Sequence, residues 1–146
     1  MIKNLYLIFI SVIAIASVSN AQIKVTWEDL EDVQFKEKFV EEVDAYYLFP
    51  NFGSTLKKLD GKEIAIHGFM LVLDTSGEFY VLSKGPFASC FFCGMAGPET
   101  IIEVQFKDTN HRRYKMDDKV TIKGTFRLNA DDIEHCNYIL EAAEEI

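Results

Sequence analysis

Cationic residues are in short supply. The chain has 15 Lys and Arg against 23 Asp and Glu, a formal net charge of −8 over 146 residues. That balance argues against sequence-independent nucleic-acid binding, which needs cationic side chains to replace counterions, and against docking on anionic lipid. No G-x-S-x-G, P-loop, H-E-x-x-H or dinucleotide fingerprint occurs, so hydrolase and nucleotide-enzyme readings lack support. Repeats, low-complexity tracts and linker-like stretches are absent too. Cysteine and proline are rare, three of each, and two of each fall in one loop. What is plentiful is apolar surface: 49% of residues are hydrophobic and 13% aromatic, which excludes a disordered acidic chain. The length suits one domain around a single core.

The long apolar run extends from Leu5 to Val18. Lys3 precedes it, and Ser19-Asn20-Ala21 follows with small residues at the two positions a signal peptidase inspects. These features predict a secretory signal peptide over residues 1–21 with cleavage before Gln22. The competing reading, a transmembrane anchor, requires a longer run and a charged stop-transfer cluster, and neither is there. No cysteine lies near the cleavage site, so a lipoprotein anchor is not indicated. The expected product is residues 22–146, an acidic domain in the periplasm or outside the cell, with no membrane anchor after cleavage.

Thr26-Trp27-Glu28-Asp29 resembles a capping box and predicts a short helix to about Glu31. From Val33 to Phe49 the signal is mixed. Phe35, Phe39 and Val43 have helical spacing, whereas Ala45 to Phe49 looks extended and ends at Pro50. Ser54 is the expected cap of a small helix carrying Leu56 and Leu59 and ended by Gly61. Five strands then follow: Lys62 to Leu73, Glu78 to Ser83 after a turn at Asp74-Thr75-Ser76-Gly77, Ile101 to Phe106, Lys119 to Leu128, and Cys136 to Leu140. Ala142 to Ile146 reads as an acidic tail. The two long strands carry Gly68 and Gly124 near their middles, where a bend is easiest. The expected fold is mainly β, a small five-stranded OB-like barrel with short N-terminal helical segments; a generic β-sandwich is the alternative.

The segment 84–100 is long for a loop inside a compact domain and therefore needs a function or a staple. It contains Cys90-Phe91-Phe92-Cys93-Gly94. C-x-x-C spacing brings two sulfurs to one metal, and Gly94 frees the backbone behind the second. Cys136 supplies a third thiolate and His135 a candidate imidazole. Neighbouring strand residues point to opposite faces, so both ligate only if His135 lies in the turn before the strand. Three sulfurs alone suit Cu(I), or Zn with an outside ligand. Three other readings stay open: a Cys90–Cys93 disulfide with Cys136 buried, thioredoxin-type redox chemistry, and cysteines that serve only in packing.

Pro86-Phe87-Ala88-Ser89-Cys90-Phe91-Phe92-Cys93-Gly94, with Gly97-Pro98-Glu99, resembles the signature of a family of small exported bacterial proteins of unknown function. Trp27-x-x-Leu30, Gly61-Lys62-Glu63 and Gly68-Phe69-Met70 fit the same family, so the resemblance covers nearly all of residues 22–146. It implies no established activity. Distant relatives keep a single cysteine followed by a histidine and a proline run, and this loop has no histidine. Association of some relatives with metal-uptake or export transporters implies metal handling, with a transport-system or envelope protein as partner.

Phe91 and Phe92 would dehydrate a metal held between them. Tyr46, Tyr47, Phe49 and Phe52 are expected to pack in the core, with an aromatic binding face as the alternative. His67 is expected to be a surface residue, His111-Arg112-Arg113 a solvated basic turn, and Asp131-Asp132 with Glu134 a solvated acidic turn. Two functions are compatible with all of this. One is an exported, non-catalytic protein binding Zn or Cu(I) through Cys90, Cys93 and Cys136, with His135 as a candidate fourth ligand. The other is a metal-free interaction module stapled by Cys90–Cys93, with an aromatic face for a partner protein or glycan. A thiol-disulfide enzyme is a third, less supported reading.

Overall fold

The computed structural model describes residues 22–74, 79–90, 94 and 96–146. The expected signal peptide, the turn at 75–77, and Phe91, Phe92 and Cys93 lie outside the described residues. Among the described residues eight strands are formed: β1 Ile23–Lys24, β2 Val33–Val40, β3 Ala45–Phe52, β4 Glu63–Val72, β5 Tyr80–Ser83, β6 Ile101–Phe106, β7 Asp118–Leu128 and β8 Tyr138–Glu145. One short α-helix, α1, spans Ser54–Leu59.

Strands β4 to β8 close into a barrel in the order β4-β5-β6-β8-β7, with β7 returning to pair with β4. Every pairing in it is antiparallel except β6 with β8. Numbered within the barrel, the order is one-two-three-five-four, the Greek-key connectivity of an OB-like barrel. β1 adds in parallel to β4, and β2 and β3 form a separate two-stranded hairpin.

Alternation along β7 aims Val120, Ile122 and Phe126 into the barrel, where all are buried. They meet Ile64, Ile66 and Met70 from β4, Leu82 from β5, Ile102 and Val104 from β6 and Tyr138 and Leu140 from β8. Gly68 is needed for closeness: a Cβ there would fall 2.6 Å from the Ser83 carbonyl oxygen and 3.1 Å from the Trp27 ring. Gly124 is needed for the same reason, 2.8 Å from the Glu141 carbonyl oxygen. The N-terminal segment closes one side of the core. Trp27 donates from Nε1 to the His67 carbonyl at 2.8 Å, and the buried Tyr138 hydroxyl donates to the Leu30 carbonyl at 2.8 Å.

Several expectations are corrected. The helical spacing of Phe35, Phe39 and Val43 is coincidental, because β2 pairs residue for residue with β3, from Val33 with Phe52 to Val40 with Ala45. Pro50 does not end β3. It stands opposite Phe35 in a strand with an open edge, where a missing N–H costs little. Glu28–Glu31 is a 3-10 turn, with the Asp29 carboxylate accepting from both the N–H and the hydroxyl of Thr26. Gly53 rather than Ser54 caps α1, and Asp32, just before β2, accepts the Thr55 N–H at 2.8 Å. Ala142 to Ile146 is not a tail. β8 runs to Glu145, and a bulge at Ala142, whose φ is 48°, lets Glu144 pair with Lys123 while Glu141 pairs with Thr125.

Candidate functional site

β3 pairs with β2 on one side and with no strand on the other among the described residues. A cleft of about 490 Å³ opens beside it, lined by Tyr46, Tyr47, Leu48 and Phe49 on one wall and by 130–137 on the other, with Phe79, Pro98 and Ile101 at its floor. Successive strand residues point to opposite faces, so a cleft lined by four in a row runs along a strand edge rather than over a sheet face. The unpaired side of β3 is that edge. Backbone bonds from Tyr46–Phe49 to the barrel are absent among the described residues.

Local sequence explains both walls. The hairpin turn at Glu41–Val43 ends on Asp44 in a left-handed conformation with φ 51°. It places Phe39 opposite Tyr46, and their rings meet edge to face at 5.1 Å. Lys38 lies over the Phe49 ring, 4.9 Å from its centroid. Of the four aromatics expected in the core, only Phe52 is buried there; Tyr46 is 67% exposed. The reason is geometric: a two-stranded ribbon packs only its base on the barrel and leaves its outer half in water.

The opposite wall is a loop held from two directions. Asn129, not among the residues expected at a site, sits at its centre. Its amide donates to the carbonyls of Asp132 (2.7 Å), Cys136 (3.2 Å) and His135 (3.3 Å), and its oxygen accepts from the Asp132 N–H (3.0 Å). Asn-x-Asp-Asp between two strands is the signal that could have found it, since Asn bonds nearby backbone in turns. From β6 the buried Glu103 carboxylate meets His135 Nδ1 at 2.9 Å and accepts the Cys136 N–H at 3.2 Å. A third donor, the Gln105 amide at 2.8 Å, completes its shell. This bonding to Glu103 raises the His135 pKa, its charge adding to the effect.

The proposed ligands are distributed as follows. Cys90 is buried at the end of the 3-10 turn Phe87–Ser89, in a small cluster with Leu71, Val81 and Ile101. Cys136 packs against the same cluster, although it comes from the other end of the chain. Both thiols are free. His135 faces Glu103, and Cys93 lies outside the described residues. No group of three His, Cys, Asp or Glu side chains among the described residues is arranged to hold a metal. Burial, and then the charge of Glu103, push the Cys136 thiol up to about 12, so it is protonated at neutral pH. Gly94, behind the C-x-x-C, has φ 69°, the left-handed conformation that favours glycine. Tyr46 and Tyr47 share the cleft with His135 and Cys136, a convergence the sequence did not reveal.

Two other expectations resolve clearly. His67 is exposed, with Nδ1 3.1 Å from the Thr121 hydroxyl. His111-Arg112-Arg113 is not simply solvated. His111 stacks on Phe106 at 4.1 Å, and Arg112 covers the Tyr114 ring at 4.2 Å while pairing with Glu145 (2.7 Å) and Asp118 (2.8 Å). Tyr80 and Tyr114 lie beneath, so this turn closes one end of the barrel.

No helix among the described residues is long and apolar enough to cross a membrane. No family model matches the chain, and no curated protein matches its sequence. Among solved structures, the chain is similar in fold to the crystal structure of a DUF3299 family protein from Pseudomonas aeruginosa, with a TM-score of 0.52 and 14% identity over 86% of this chain and 97% of that one. A structural neighbour of this small barrel is therefore itself a member of a family of unknown function.

Proposed function

We propose that this chain is an exported, non-catalytic binding module that engages a partner protein through the cleft between β3 and 130–137. The observation that carries this reading is the convergence of Tyr46, Tyr47, His135 and Cys136 on one concave, largely apolar site. The rigid wall built on Asn129 and Glu103 supports it, because a preorganised wall loses little entropy on binding. The resemblance to exported proteins near transport systems supports a partner among envelope or transport-system proteins. A thiol-disulfide enzyme fits less well, since a reactive cysteine has to be accessible and Cys90, at the head of the C-x-x-C, is buried.

The test is a random-peptide selection run beside a glycan array, on the purified chain and on Tyr46→Ala/Tyr47→Ala. Peptides that bind the native chain and are lost from a variant with an unchanged melting curve support the reading. Ligands indifferent to the two tyrosines, or glycans alone, overturn it.

A second reading has one observation in its favour. Cys90 and Cys136 share a cluster, as ligands of one Zn(II) or Cu(I) with Cys93 would. Glu103 on Nδ1 leaves Nε2 of His135 as that ring's remaining donor. Elemental analysis with thiol counting in denaturant decides it. Near-stoichiometric Zn or Cu with three thiols supports the metal. No metal and a single thiol overturns it in favour of a Cys90–Cys93 staple.

A further inference from the structure

We infer that the occupant of the cleft is an extended, cationic peptide segment of the partner, added as a strand along the free edge of β3. The inference rests on the binding-module reading and specifies its ligand.

Three observations meet here. First, the edge is available. In a two-stranded antiparallel ladder, alternate residues turn their N–H and C=O away from the partner strand. Tyr46–Phe49 all carry an N–H, whereas Pro50 cannot donate and so sets one end of the pairing stretch. An unpaired edge is a template for another chain and is usually blunted by a charge, a bulge or a cover. β3 is an unbulged strand with Tyr, Tyr, Leu and Phe along the open stretch.

Second, the cleft is acidic apart from His135, which is turned onto Glu103. Asp131, Asp132 and Glu134 line it, all three exposed, and no Lys or Arg does. Ion pairs to these carboxylates are absent among the described residues. The whole chain, at −8, adds a field of the same sign.

Third, aromatic rings stand across from the carboxylates. Tyr46 and Tyr47 offer π-faces and apolar surface beside an acidic wall, next to Phe49, whose ring Lys38 already covers. A lysine or arginine side chain uses both, its stem on the rings and its charge between ring and carboxylate. Alternation along an added strand would send every second side chain toward one face of the ribbon, so a ligand alternating cationic and β-branched residues matches the site.

Two capped peptides provide the test, one alternating lysine with valine and one alternating glutamate with valine. Each is titrated into the purified chain while backbone amide shifts are followed by NMR. The expected result is binding of the lysine peptide at least about tenfold tighter than the glutamate peptide, weakened by salt. Shifts should concentrate at Tyr46–Phe49 and 131–134. Methylating alternate backbone nitrogens of the lysine peptide should abolish binding, and Asp131→Asn/Glu134→Gln should weaken it without lowering the melting temperature. Equal or tighter binding of the glutamate peptide at the same amides overturns the cationic ligand and leaves the cleft reading standing. Undiminished binding of the methylated peptide overturns strand addition alone. No binding by either peptide, or shifts elsewhere on the barrel, overturns the inference; if the selected peptides also ignore Tyr46 and Tyr47, the cleft reading falls with it.

Discussion

Nδ1 of His135 lies 2.9 and 3.0 Å from the two carboxylate oxygens of Glu103, one half-exposed ring against one buried acid. The pair ties the acidic wall of the cleft to a barrel strand. Glu103 has no other cationic partner among its bonds, so a protonated imidazole is its natural counter-charge.

That pairing has a pH signature. The hydrogen bond to Glu103, and then its charge, raise the His135 pKa above its ordinary 6.5. A raised folded-state value means the stabilisation is fully present below pH 6.5 and is lost as pH rises through the folded value. In Glu103→Gln, an NMR titration should find the His135 pKa back toward its ordinary value. An unshifted titration would refute the contact.

Acid should weaken the far end of the barrel. Hydrogen bonding by Arg112 holds the Glu145 carboxyl below its ordinary 4.5. The Lys115 N–H and then Arg112 hold Asp118 below 3.8. Depressed carboxylate values contribute stability above the ordinary pKa that disappears as pH falls through the folded one. Arg112→Gln should therefore melt lower than the native chain at pH 7, and the gap should narrow below about pH 4. A gap constant down to pH 3 would count against the network.

Crowding at Gly68 gives a stability prediction. Adding one methyl places it against the Ser83 carbonyl, a backbone atom that cannot swing aside. Gly68→Ala should destabilise by about 1–3 kcal/mol, seen as a lower midpoint in chemical denaturation with an unchanged slope.

Removal of the Asn129 amide should loosen the cleft wall without opening the barrel. Asn129→Ala takes away the donor to three carbonyls and should cost roughly 1–3 kcal/mol. Hydrogen exchange should quicken in 130–137 and stay slow in β4 and β7.

Thiol reactivity offers a further check. Because burial pushes the Cys136 thiol up to about 12, alkylation of Cys136 at pH 8 should be slow in the native chain and fast in denaturant. Rapid labelling of the folded chain would contradict the burial.

The barrel was legible because its information is local. Period-two alternation in Val120, Ile122 and Phe126, turn residues between strands, and glycines at points of close approach each speak through neighbouring residues. The end of β8 was not legible. Glu141-Ala142-Ala143-Glu144-Glu145 has no apolar alternation, and its strand character comes from pairing with β7 and from Lys107, Lys123 and Arg112, which neutralise its carboxylates. The hairpin was half legible, since Phe35, Phe39 and Val43 fit a helical period as well as a ribbon edge, and only the register with β3 separates the two.

By itself, then, the sequence determined a small acidic β-barrel with an unusual cysteine loop, since alternation and turn chemistry act over a few residues. Tertiary structure alone decided which side chains meet. It brought Cys90 and Cys136 to one cluster, turned His135 onto Glu103, and set Tyr46 and Tyr47 across a cleft from Asp131 and Glu134. Such meetings depend on barrel closure and on where an unpaired hairpin comes to rest, both long-range consequences of packing that no local pattern encodes.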